Sequence, residues 1–344
     1  PNTTTYATRS ATQTVGTPYG YFAGGYYTGP AAGTSIDRID YSNDTPTAVE
    51  KGPLVTSVWG MSGSGSTSYG YFSGGRTGGQ QGHSYVQRID YSSDTTTAAA
   101  KGQLNNQHSW TASVSTNSYS YVMGGYYPSV TTNIDRIDFS NDTPTATAKG
   151  NLSLAKYAAA GTGNASYGYN GAGRTGGAYY SSVDRLDYSS DTTTCVAKGP
   201  LSAAGYGIAA TGNASYGWFG GGSGGSPTRN TIIDRIDYSS DTSTASARGD
   251  MGPGATYNLA ATGNTSYGYI GGGRSGGQYR WTTIYRIDYS NDTPTTTAKG
   301  PLAAAGGDGV AAASPRANAL PGPSTIYPWY DTSGKGNNAL ITDS

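Results

Sequence analysis

The chain has 344 residues, including 54 Gly and 31 Tyr, and only 12% of it is charged. Its 21 basic and 21 acidic residues cancel, which leaves no electrostatic footprint for nucleic acid or an anionic membrane surface. No apolar run reaches transmembrane length, the first residues do not read as a signal peptide, and the single cysteine excludes an intrachain disulfide.

Taken in order, the chain repeats itself. ATQTVGTP (11–18) reads as a small-residue strand, and YGYFAGG (19–25) as an aromatic strand closed by glycines. A variable loop leads to SIDRIDYSNDT (35–45), and a polar strand then ends at Lys51-Gly52. The same order returns five more times. Its arginines fall at Arg38, Arg88, Arg136, Arg185, Arg235 and Arg286, spaced 48 to 51 residues apart. The aromatic anchor recurs at Tyr19, Tyr69, Tyr119, Tyr167, Tyr216 and Tyr267, and a basic-Gly pair closes each unit. Three anchors in constant order at one period indicate tandem structural units. Gly, Asn and Asp supply turns while Thr, Tyr, Ile and Val favour strands, and no segment sustains a helical apolar period.

Residues 205–253 show the content of one unit. GYGIAATGNAS (205–215), YGWFGGG (216–222), TIIDRIDYS (231–239) and TSTASARG (242–249) read as four strands joined by short turns. Radial repetition of such sheets makes a β-propeller, so the expectation is an all-β, six-bladed propeller of four-stranded antiparallel blades over residues 1–318. A parallel solenoid is the rival, but its rungs are normally shorter than fifty residues.

The Gly-Gly doublets at Gly24, Gly74, Gly124, Gly220 and Gly271, each followed by a loop and a RIDY strand, resemble kelch repeats. The fourth unit departs with Gly171-Ala172-Gly173, and the later Trp of the family is missing. The resemblance implies a propeller in which the doublet ends the second strand. The wording of the repeats is also similar to repeat proteins encoded by marine bacteriophages, which implies a tail-fibre or decoration role on a virion exterior.

In a strand, Arg38 and Asp40 share one face while Ile39 and Tyr41 share the other. Structural pairs are therefore expected at Arg38/Asp40, Arg88/Asp90, Arg136/Asp138, Arg185/Asp187, Arg235/Asp237 and Arg286/Asp288, with Arg and Asp pairing between blades and Lys51 exposed. SNDT or SSDT supplies a turn closed by its own side chains, similar to the Asp-box hairpin of sialidase-type propellers. A calcium site at Asp40 and Asp44 is the alternative, in a loop poorer in carboxylates than known calcium loops.

Catalytic groups are scarce. His83 and His108 lie in different elements, Cys195 stands where sibling units carry Ala or Thr, and Glu50 is the only glutamate. Neither an oxidase metal set nor a glycosidase carboxylate pair stands out, so the reading is non-enzymatic, with no cofactor and no metal. Oxidase or glycosidase chemistry is the alternative. The variable loops between second and third strands instead gather Tyr26, Tyr27, Arg76, Tyr126, Tyr127, Arg174, Tyr179, Arg229, Arg274, Tyr279, Arg280 and Trp281. Tyr, Trp and Arg dominate binding hot spots, and aromatic faces suit sugars. These residues are the expected ligand contacts, with host-surface glycans as partner. A secreted bacterial adhesin is the other setting.

Residues 319–344, with prolines at 321, 323 and 328, break the pattern and read as an arm that docks onto other virion or surface proteins or a second copy. Two segments compete to close the ring. Ungapped counting back from Tyr19 favours residues 11–17 as the innermost strand of the first blade, with 309–344 leaving the ring.

Overall fold

The fourfold strand pattern of each repeat folds into one sheet. The computed structural model describes residues 18–26, 33–78, 81–224, 231–252, 257–275, 281–291 and 295–314, with the strands Tyr327–Trp329 and Ala339–Ile341 beyond them. In blade 2, Trp59–Gly65, Tyr69–Arg76, Val86–Asp90 and Ala99–Ala100 pair in that order as antiparallel neighbours. Six such four-stranded sheets are present, and helix among the described residues is confined to the short turns Tyr188–Ser190 and Tyr238–Ser240. The RIDY strand is third from the axis in every blade, at Ile36–Asp40, Val86–Asp90, Asn133–Asp138, Val183–Asp187, Ile232–Asp237 and Ile284–Asp288. The protein is a six-bladed propeller.

Alternation sends one residue of each YGY strand into the gap between blades. Tyr21, Tyr71, Tyr121, Tyr169, Trp218 and Tyr269 are all fully buried. Each stacks on the aromatic that ends the RIDY motif of an adjacent blade: Tyr21 on Tyr91, Tyr71 on Phe139, Tyr121 on Tyr188, Tyr169 on Tyr238, Trp218 on Tyr289, and Tyr269 on Tyr41. Ring centroids lie 4.4 to 5.3 Å apart, so one aromatic pair seals each blade junction.

The charged half of the motif works differently from the expected Arg/Asp pairing. Arg136 Nη1 sits 2.7 Å from Asp191 Oδ2, not on Asp138. The same Asp191 carboxylate takes Lys149 Nζ at 3.2 Å and the Tyr121 hydroxyl at 3.0 Å. Asp191 belongs to the SSDT turn one blade on. Equivalent hubs are Asp94 with Arg38, Lys51 and Tyr21; Asp142 with Arg88, Lys101 and Tyr71; Asp241 with Arg185, Lys198 and Tyr169; and Asp44 with Arg286, Lys299 and Tyr269. Arg235 points its guanidinium over Tyr216 as its siblings do over theirs; the aspartate at the matching sequence position, Asp292, lies outside the described residues. Lys51, expected in solvent, is largely buried in the latch.

The RIDY aspartates cap the turn instead. Asp138 Oδ1 accepts from Ser140 N at 2.8 Å and Ser140 Oγ at 2.7 Å, and Asp40, Asp90, Asp187, Asp237 and Asp288 do the same with the serine two residues on. Asp40 and Asp44, the two carboxylates of the alternative calcium reading, serve different partners: Asp40 its own turn and Asp44 the latch to Arg286 and Lys299. The basic-Gly pair completes the latch. Gly150 N donates to the Asp191 carbonyl at 2.8 Å, and a Cβ on Gly150 would meet the Thr193 carbonyl oxygen of the neighbouring turn at 1.8 Å. Only glycine admits that turn.

Closure contradicts the ungapped alignment. Blade 1 runs Ala311–Ala313, Tyr19–Ala23, Ile36–Asp40, Val49–Glu50, so its innermost strand comes from the end of the repeat region. The ring is closed by a shared blade, in addition to the Asp44 latch onto blade 6. Ala311–Ala313 fits because the inner strands crowd the axis: a Cβ on Gly63 of blade 2 would lie 2.1 Å from the Ala312 carbonyl oxygen. Residues 11–17 lie outside the described residues. Within 319–344, Tyr327–Trp329 pairs antiparallel with Ala339–Ile341.

Candidate functional site

A residue in left-handed backbone stands at or just before the start of each inner strand: Gly60, Trp110, Ala158, Gly207, Asn258 and Gly309, with φ between 52° and 72°. This bend places the residue before it opposite the end of the second strand. The resulting pairs are Asp308 with Tyr26, Trp59 with Arg76, Ser109 with Tyr126, Tyr157 with Arg174, Tyr206 with Ser223, and Tyr257 with Arg274. Directly opposed residues of an antiparallel pair share a face, so every blade presents two side chains to one end of the axis. At that end a cup of about 290 Å³ draws lining residues from all six blades.

Around the axis the second-strand ends are Tyr26, Arg76, Tyr126, Arg174, Ser223 and Arg274, and of these Arg76, Tyr126, Arg174 and Arg274 reach the cup. Each arginine is seated on aromatic faces. Arg76 Cζ lies 4.0 Å from the Trp59 ring centroid and 5.4 Å from that of Trp110; Arg174 lies 4.6 Å from Tyr206; Arg274 lies 4.8 Å from Tyr257. The aromatics also contact each other, Trp59 meeting Trp110 edge-on at 5.1 Å and Tyr26 at 5.0 Å. One carboxylate enters the cup, Asp308. It takes Arg274 Nη1 at 3.3 Å and the Asn258 side-chain amide. Burial raises the Asp308 carboxyl above the ordinary range against the pull of Arg274, Asn258 and Arg76. Burial likewise lowers Arg76, against Asp308.

Of the residues expected to contact ligand, Arg76, Tyr126, Arg174 and Arg274 line the cup. Tyr26 stacks behind Trp59, and Tyr179 stacks on Tyr206 at the rim. Tyr127 is half-buried beside Gly82. Trp281 departs from expectation: from the loop ahead of Ile284–Asp288 it packs, partly buried, onto the cluster of Met251, Leu259 and Tyr285. Tyr27, Arg229, Tyr279 and Arg280 lie outside the described residues. Sequence reasoning missed Trp59, Trp110, Tyr157, Tyr206, Asn258 and Asp308. Their signal is a bulky or polar residue directly ahead of each small-residue inner strand.

The two histidines, read as unrelated, face each other across an isolated bridge in blades 2 and 3, where His108 N donates to the His83 carbonyl at 3.1 Å. His108 is buried, and burial lowers its pKa. Cys195 is buried and inert as a nucleophile, its thiol pushed up to about 12 by burial.

No family model matches the sequence, and no curated protein matches it. A solved structure titled "Structure of YjhT" is similar with a TM-score of 0.65 at 14% identity, over 82% of this chain and 98% of that one. That likeness supports the propeller architecture. No helix among the described residues is long and apolar enough to cross a membrane.

Proposed function

We propose that the chain is a non-enzymatic binding propeller of a virion or cell exterior, with the cup as its recognition site for surface saccharides. The observation that carries this reading is the cup itself, where aromatic faces and guanidinium donors from five blades, with Asp308 from the sixth, converge on one concave site. Sugar rings offer apolar C–H faces to aromatics and hydroxyls to fixed donors, and concave sites with few convergent polar groups are the usual small-ligand sites. The virion setting, as tail fibre or decoration protein, rests on the likeness of the repeat wording to bacteriophage repeat proteins, and the arm at 319–344 would serve attachment to other surface proteins or a second copy. A secreted adhesin fits the same cup.

An enzyme of glycosidase type draws on Asp308 alone, and such chemistry uses two carboxylates flanking the bond. Among the described lining residues Asp308 is the one carboxylate. The test is a saccharide-panel binding measurement on the purified chain, followed by the same panel on Tyr206→Ala. Saturable binding lost in the variant is expected; no binding to any saccharide, or turnover of a bound one, would overturn the reading.

A further inference from the structure

The cup holds three arginines and one carboxylate among its described lining residues. Asp308 is engaged by Arg274. Arg76 and Arg174 come from blades 2 and 4, and among the described residues no carboxylate lies within ion-pair distance of either. Their Nε atoms are buried and make no hydrogen bond within the protein.

Both guanidiniums lie over aromatic faces, Arg76 on Trp59 and Arg174 on Tyr206. Stacking of this kind pre-sets the guanidinium plane and leaves its in-plane donors for an oxyanion. Such a planar fork matches a carboxylate or a sulfate ester by paired hydrogen bonds. Tyr126 stands between the two arginines around the axis, so an aromatic side chain separates the two cations. The volume, about 290 Å³, lies just under the range for small-molecule sites, roughly 300–1,000 Å³, and suits a single sugar residue.

From these observations, and resting on the saccharide reading above, we infer that the cup selects an acidic sugar residue, its oxyanion held by Arg76 and Arg174 and its ring against the aromatic wall. A neutral sugar would leave two stacked guanidiniums desolvated without a counter-charge. An inorganic anion would leave the aromatic wall unused.

Glucuronate, glucose 6-sulfate, glucose and inorganic sulfate, titrated by calorimetry against the full chain, test this. Glucuronate or glucose 6-sulfate should bind at least tenfold more tightly than glucose and than sulfate, and the better of the two identifies the oxyanion as carboxylate or sulfate ester. Raising salt should weaken the acidic sugar and spare glucose. Arg174→Gln should cost the acidic sugar tenfold or more, a larger loss than it causes for glucose, with Arg76→Gln as a second variant and melting curves checking the fold of both. The wild-type ratio alone decides if either variant fails to fold. Glucose binding as tightly as glucuronate and glucose 6-sulfate would overturn the acidic selection while leaving the saccharide reading standing. Sulfate matching the acidic sugars, or no binding by any of the four, would overturn both.

Discussion

Asp191 Oδ2 lies 2.7 Å from Arg136 Nη1, and the two residues belong to different blades. The carboxylate also takes Lys149 and Tyr121, while Asp138, two residues from Arg136, is spent on its own serine turn. Burial alone would raise Asp191, but Lys149, Tyr121 and Arg136 together hold it below the ordinary carboxylate range. The blade junction is thus a multivalent latch on one acid.

Replacing that acid should therefore hurt more than replacing its neighbour in the motif. Asp191→Ala strands a partly buried arginine and lysine, and should cost about 2–4 kcal/mol, below the full buried-pair figure because Arg136 is a quarter exposed. Asp138→Ala removes a turn cap and should cost about 1 kcal/mol. Chemical denaturation of the two variants checks the order; equal losses would show that the hub is not the stronger element.

The hubs also set the acid limit. Asp44, Asp142, Asp191 and Asp241 are all held low. For a carboxyl whose folded pKa is depressed, the contribution is complete above the unfolded value of roughly 4 and is lost as pH falls through the folded value. Melting temperature should accordingly drop steeply below about pH 4. A flat profile from roughly pH 5 to 2 would contradict the latch.

Asp135 acts in the opposite direction. It is buried, and burial raises its carboxyl to about 6 against backbone donors from Asn105 and Asn106. A carboxyl raised in the fold stabilises below its unfolded pKa and loses that contribution as pH rises through the folded value. Asp135→Asn should remove this loss, roughly 2–3 kcal/mol at most between about pH 4 and 7. Parallel urea titrations of both proteins across that window check it, and identical pH slopes would refute it.

Closure is testable by truncation. Deleting 319–344 leaves Ala311–Ala313 in place and should preserve cooperative melting. Deleting 309–344 removes the inner strand of blade 1 and should lower the melting point sharply or abolish the transition. If the second truncation melts like the first, the strand is dispensable and blade 1 closes otherwise.

Much of this architecture was legible because each anchor occurs once per blade, so spacing converts directly into blade number. The partner of Arg136 was not. Every unit carries two or three aspartates around its arginine, and residue spacing cannot say whether Asp138 or the far Asp191 faces the guanidinium. Strand geometry decides, since the strand ends at Asp138 and the next blade's turn swings Asp191 over it. The closing strand was misread because ATQTVGTP and GVAAASPRAN have similar composition, and ungapped counting is blind to how closely Ala312 must approach Gly63. The cup was half legible. Arg76, Arg174 and Arg274 stood out in the variable loops, whereas Trp59, Tyr157 and Tyr206 share a structural position without sharing an identity with Asp308.

The functional reading rests on the cup, and not the opposite end of the disc, as the place where saccharide binds. The direct comparison measures binding of one acidic polysaccharide, alginate, to wild type and to two variants. Tyr206→Ala removes an aromatic face of the cup, and Ala214→Glu adds a repelling charge at the exposed middle of the Asn213–Ser215 turn, at the far end of the inner strand. Wild type and the turn variant should bind saturably and alike, with a loss of tenfold or more in the cup variant. Binding that survives in the cup variant, or that falls only when the far turn is changed, would contradict the assignment.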